Sequence, residues 1–164
     1  MIILGIDPGT ANTGYGIIKK LKIGKKSGRL ALKCLGYGVI KTTPEFSSAE
    51  RLEKINKELN KLIRKHKPRV LAVENVYFFK NLKTAIPVSQ AKGVILFTAA
   101  KKKIPIYEFA PLQIKKALAN YGWAEKKAVQ KKIKTLLKLK EVPRPDDAAD
   151  ALAAAVCYAR TLPK

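Results

Sequence analysis

Acidic side chains are scarce in this chain: 12 Asp and Glu stand against 34 Lys and Arg, giving a formal net charge of +22. Two cysteines and one histidine are too few for a disulfide scaffold or a Cys/His zinc site. No stretch approaches the roughly 18 uncharged apolar residues that a membrane-spanning helix needs, and no membrane partner is expected. The opening apolar run stops at Asp7 and lacks the basic region and small-residue cleavage site of a secretory signal. Cys34 and Cys157 sit in apolar stretches and read as reduced core residues of a cytoplasmic protein. Repeats, low-complexity tracts and linkers are missing too. Residues 1–164 therefore read as one domain, too short for a two-domain kinase or dehydrogenase.

What is present is enough apolar material for a core, 47% of the residues, which rules out a basic disordered tail. A globular chain of this charge is expected to meet a polyanion, nucleic acid first among them. A basic solvated surface and membrane phospholipid are the alternatives that composition leaves open.

Apolar runs at 2–6, 14–18 and 30–40 predict three strands joined by short connections, an antiparallel meander. Gly36 and Gly38 in the third point to a bulge or a close backbone approach. Ser47 with Glu50 three residues on is a capping box, and Leu52, Ile55, Leu59, Leu62 and Ile63 then recur on one helical face. A short apolar strand at 70–73 runs straight into Glu74. A helix over 84–102 follows, with Pro87 in or near its first turn, then a strand at 104–109 and a helix opened by Pro111. Residues 125–138 form an amphipathic helix, and 147–160 a helix apolar nearly all round and so buried. The order predicts an α/β fold: a five-stranded mixed sheet with helices on both faces.

With so few acids, their placement is informative. Asp7 ends the first strand and Glu74 the fourth, which are parallel neighbours in this arrangement, and functional groups of open α/β sheets gather at carboxyl ends. Asp147 and Asp150, three apart, share a face at the start of the buried helix. Four carboxylates meeting there repel by about 4 kcal/mol per close pair at an effective dielectric near 20. A divalent cation relieves this, and oxygen-only ligands favour Mg²⁺ or Mn²⁺. Taken singly, Asp7 reads as a turn residue before Pro8-Gly9 sooner than as a catalyst, and Asp147 as an ordinary N-cap or first-turn acid. Glu74 and Asp150, embedded among apolar residues, are harder to explain without a partner.

Ile6-Asp7-Pro8-Gly9-Thr10 followed by Thr13-Gly14-Tyr15-Gly16 resembles the opening motif of the RuvC family, the bacterial Holliday-junction resolvases. Glu74-Asn75-Val76-Tyr77 with Lys80-Asn81, then Gln90-Ala91-Lys92-Gly93-Val94, then Asp147-Ala148-Ala149-Asp150-Ala151-Leu152-Ala153 resemble its later motifs, in family order along essentially the whole chain. The resemblance implies a ribonuclease-H-like fold and a homodimer that nicks two strands of like polarity in a four-way DNA junction, with a branch-migration helicase complex as partner. It places the catalytic and metal-binding carboxylates at Asp7, Glu74, Asp147 and Asp150. Some relatives carry His at the position of Asp147. Asp146, four before Asp150, is a competing candidate that the motif disfavours. Mg²⁺, replaceable by Mn²⁺ and expected as two ions about 4 Å apart, would activate a water and stabilise the leaving 3′-oxygen.

The resemblance also implies DNA-binding roles for Tyr77, Phe78, Lys80, Lys115 and Lys126. Tyr77 matches an aromatic that stacks on an unpaired base at the junction centre; for Phe78 and Phe79, packing on a dimer partner is an equal alternative. Lys127, Lys131, Lys134 and Lys138 form an outer stripe that reads as solvated. Lys126, seven residues before Ile133, lies on the extension of the apolar face and is expected to turn inward. Three other readings compete. The Asp-Pro-Gly-Thr turn also resembles the opening of actin-like ATPases, which need a second domain. A basic binding protein without catalysis leaves the four acids unexplained. A nuclease of the same fold acting on RNA remains open.

Overall fold

The computed structural model describes residues 1–21, 30–75, 82–119 and 124–161. Along the chain come β1 (Ile2–Asp7), β2 (Asn12–Leu21), β3 (Ala31–Lys41), α1 (Ser48–His66), β4 (Val70–Glu74), α2 (Leu82–Lys101), β5 (Ile106–Phe109), α3 (Pro111–Ala119), α4 (Lys126–Leu137) and α5 (Asp146–Thr161). The strands form one mixed sheet in the order β3-β2-β1-β4-β5. β1, β2 and β3 pair antiparallel, as the meander expectation has it; β4 joins β1, and β5 joins β4, in parallel.

Strand alternation decides what each side of the sheet receives. Leu4, Ile6, Ile17, Leu71 and Val73 point to one side, where Ile55, Leu59 and Ile63 of α1 and Ala91, Ile95 and Ala99 of α2 cover them. Ile3, Ile18, Val70 and Ala72 point to the other, beneath α3, α4 and α5. The same two-residue step carries Asp7, beyond Ile3 and Gly5, and Glu74, beyond Ala72, to the α5 side of the sheet.

Local signals account for most boundaries. Ser47 and Glu50 form the expected capping box, with the Glu50 N–H donating to the Ser47 hydroxyl at 3.3 Å and the Ser47 N–H to the Glu50 carboxylate at 2.8 Å. In the third strand the glycines mark a bulge, the first of the two alternatives. The register against β2 slips at Leu35, beside Gly36, and a Cβ on Gly38 would crowd the Tyr15 hydroxyl.

Other boundaries differ from the sequence reading. α2 begins at Leu82, two residues earlier than expected, so Pro87 is its sixth residue and lies just past the first turn, inside the helix, at the cost of one helical hydrogen bond. β5 begins at Ile106, because the Ile104 N–H turns back to the Ala99 carbonyl at the end of α2. Glu125 and Lys138 flank α4 as its caps, and α5 starts one residue early, at Asp146. Cys157 is buried and Cys34 half-buried, both as free thiols. Among the described residues no helix is long and apolar enough to cross a membrane.

Candidate active site

Glycine and alanine set the depth of the site. Gly14 is paired across the sheet with Asp7, and a Cβ on Gly14 would collide with the carbonyl oxygen of Asp147; one on Gly5 would strike the Ala151 carbonyl. Gly16 lies beneath Leu152, where a Cβ would crowd both its side chain and its backbone nitrogen. α5 answers with seven buried alanines. At Gly5 and Gly14, with no side chain between them, the backbone of α5 rests on the backbone of β1 and β2. The first turns of α5 are thereby laid over the end of β1, bringing Asp147 and Asp150 to the strand end that carries Asp7.

The turn after Asp7 is fastened from both sides. The buried Thr13 hydroxyl donates to the Gly9 carbonyl at 2.5 Å, and the Thr42 hydroxyl donates to the Thr10 carbonyl at 2.5 Å.

The electrostatics follow from this convergence. Burial, then the charges of Glu74, Asp150 and Asp147, push the Asp7 carboxyl from 3.8 up to about 8. Burial and the Asp150 charge raise Glu74 from 4.5 to about 7. Burial also raises Asp150, although the Lys126 ammonium, 2.9 Å away, pulls the other way. Lys126 loses by partial burial but gains more from Asp150 and then Asp146, and its ammonium is held above its ordinary range. Four acids sharing one end of a sheet form an acidic pit, whose buried members hold their protons well above the ordinary carboxylate range, in a strongly basic molecule.

Asp146 is turned elsewhere. Its carboxylate accepts from the buried Gln130 amide at 3.0 Å and from Arg144 at 3.0 Å, with Lys126 at 3.3 Å, and the Gln130 bond leads in holding its pKa low. Lys126 is half-exposed rather than turned wholly inward, but its ammonium reaches into the acid cluster as expected. Lys115 lines a cavity of about 180 Å³ together with Glu74, Lys126 and Asp150. Tyr77, Phe78, Phe79 and Lys80 lie outside the described residues.

The donor set suits a hard divalent cation: oxygen ligands only, with mutual repulsion that a cation would relieve. Among the described residues no three acid, histidine or cysteine side chains are already gathered into a shell that could hold a metal ion. In the structure as it stands, the Lys126 ammonium is the nearby counter-charge. Sequence reasoning missed the glycine–alanine contact and the Gln130–Asp146 bond. A signal for the first was there, in alternate glycines at 14 and 16 and an alanine-rich final helix.

The family model described as crossover junction endodeoxyribonuclease RuvC matches residues 3–158. A relative of that name from Petrotoga mobilis is 49% identical over 158 residues, 96% of this chain and 93% of that relative. A Thermus thermophilus RuvC structure superposes with a TM-score of 0.88 at 34% identity, covering 97% of this chain and 93% of that one. The same protein in complex with a Holliday junction substrate gives a TM-score of 0.86 at 33% identity over the same shares of the two chains. The fold is thus the ribonuclease-H-like fold of that group, and the chain belongs to the RuvC family of crossover junction endodeoxyribonucleases.

Proposed function

We propose that the chain, as a single nuclease domain over 1–164, resolves four-way DNA junctions by Mg²⁺-dependent nicking of two strands of like polarity. The observation that carries this is the pit itself. Asp7, Glu74 and Asp150 are all held above the ordinary carboxylate range, beside Lys115 and Lys126. Asp7, Glu74, Asp147 and Asp150 would hold Mg²⁺, or Mn²⁺ in its place. Bound there, the metal supplies an activated water and charge for the leaving 3′-oxygen. Asp7, facing three other acids, is the group that must shed its proton as the cation enters. Lys115 and Lys126, at the cavity beside Glu74 and Asp150, are placed to meet the phosphate next to the scissile bond. Tyr77 and Phe78 supply the stacking platform and Lys80 a backbone contact, as the family resemblance suggests. The remaining bases give affinity that falls by about 0.9 log unit per log unit of salt for each phosphate contacted.

A two-fold substrate calls for a two-fold enzyme, and α2 offers the surface for it. Ile86, Gln90, Gly93 and Phe97 face outward at helical spacing, with Ile86 71% and Phe97 64% exposed. In a molecule of net charge +22 these four residues are themselves uncharged, with the Lys101 ammonium at the far end lying over the Phe97 ring at 6.0 Å. DNA would seek the basic surfaces, and a second copy, repelled elsewhere by like charge, can approach along this one. The partner of α2 is therefore a second copy of the chain, and Phe97→Asp should leave a monomer in sedimentation. The branch-migration helicase complex and a cytoplasmic setting complete the reading by family resemblance.

Incubation with a synthetic four-way junction, the matching duplex and a structured RNA, each with Mg²⁺ or EDTA, tests the activity. Paired nicks in the junction alone, and only with Mg²⁺, are expected. Asp7→Asn should abolish nicking and leave junction binding in place; normal nicking by that variant would remove the metal assignment.

A further inference from the structure

Glu74 ends β4, and its position depends on what holds the residue after it. The Asn75 N–H donates to the Phe109 carbonyl at 2.8 Å, tying it to β5. The Asn75 side-chain oxygen accepts from the Lys92 ammonium at 2.6 Å. That ammonium also forms an ion pair with Glu108 of β5, and the Lys92 side chain is only 18% exposed. Covering a lysine this far costs desolvation and rotamer freedom, which an ion pair and a short hydrogen bond together offset. Lys92 thus reaches from α2 across to the ends of two strands. It touches none of the four acids.

We infer that Lys92 is a positioning residue for nicking: by clamping Asn75 against Glu108 it fixes the end of β4 and hence the Glu74 carboxylate. The clamp rests on Glu74 being a metal-holding residue. It also makes α2 a two-sided element, with Phe97 and Ile86 facing outward and Lys92 gripping the catalytic strand. Groups that hold the ligands of a metal site in place typically matter about 10- to 100-fold for metal affinity or activity.

The test compares Lys92→Met, Lys92→Arg, Asn75→Ala and Glu74→Gln with the unaltered protein. Single-turnover nicking of a labelled junction is measured alongside junction affinity without Mg²⁺, the Mg²⁺ midpoint, and the rise in melting temperature on adding Mg²⁺. Lys92→Met should nick about 10- to 100-fold more slowly, bind the junction as before, need more Mg²⁺ and show a smaller Mg²⁺-induced rise. Asn75→Ala should resemble it, and Lys92→Arg should recover most of the rate. A clamp of merely structural value is indicated, and the inference overturned, if Lys92→Met nicks normally, if its loss lies wholly in junction affinity, or if Lys92→Arg is no better. If Glu74→Gln nicks normally, the reading of Glu74 itself has failed; if Glu74→Gln is silent and Lys92→Met normal, only the clamp has.

Discussion

The two sides of the sheet are packed by different means. Against α1 and α2 the contact is between branched side chains, Leu4, Ile6 and Leu71 meeting Ile55, Leu59 and Ile95. Against α5 it is backbone on backbone at Gly5 and Gly14, which meet the carbonyls of Ala151 and Asp147 along an alanine-rich helix, with Gly16 making room for Leu152. A side-chain layer can absorb a lost or shifted methyl group by repacking, at a cost in stability. A glycine–alanine contact has no such slack, since any added carbon must move the helix. The acids that form the pit sit on the second side, so the molecule places its chemistry where position is least negotiable and its stability where composition is most forgiving.

Substitutions on the two sides test this contrast. The largest effect is expected from Gly14→Val, which drives a side chain into the Asp147 carbonyl. Nicking should be lost along with about 3 kcal/mol or more of stability, and near-normal nicking by that variant breaks the contrast. Leu59→Ala, fully buried on the opposite side, should cost about 2–5 kcal/mol in denaturant unfolding. Its nicking rate per folded molecule should nevertheless stay normal below its melting temperature; a lost rate there shows that both sides set the site.

The acid side should also have a pH signature. Asp7 and Glu74 rise from 3.8 and 4.5 to about 8 and about 7. For groups raised on folding, the stability contributed is whole below the unfolded values and lost as pH climbs through the folded ones. The metal-free melting temperature should therefore fall between about pH 5 and about pH 8.5, and Mg²⁺ or Asp7→Asn should flatten the fall. A flat metal-free profile sinks the electrostatic account. The smallest effect concerns Lys20, whose ammonium donates to the Ala159 carbonyl at 3.0 Å near the end of α5. Lys20→Met should cost about 0.3–1 kcal/mol in thermal unfolding, with nicking intact.

Much of this was legible in the residue order. Burial writes itself into period: the run ending at Asp7, the run ending at Glu74 and the Leu52-to-Ile63 stripe gave sheet neighbours and a capped helix. Ser47 and Glu50 marked a boundary because capping needs particular side chains at a particular spacing. The paired Asp147 and Asp150 were visible for the same reason. The start of α2 lies two residues before the expected one and carries Pro87 just past the first turn, since proline reports a local cost that tertiary packing of Ala91 and Ile95 can override. The outward face of α2 was hidden because Ile86 and Phe97 are apolar whether they face a core or a partner. Lys92 was hidden by its abundance: one lysine among many carries no sign that it is covered. The alternate glycines at 14 and 16 and the alanines of the last helix were visible, but a missing side chain does not say which backbone will fill its place, although at Gly14 that decides where Asp147 sits.

The seven alanines of α5 have a practical consequence for anyone mapping the enzyme. Replacing residues one by one with alanine is the common way to find what matters, and along α5 it would return the unaltered protein at position after position. The surface that aims the chemistry would register as silent. A survey that adds bulk, putting valine or leucine at 148, 151 and 155, asks the question this helix can answer.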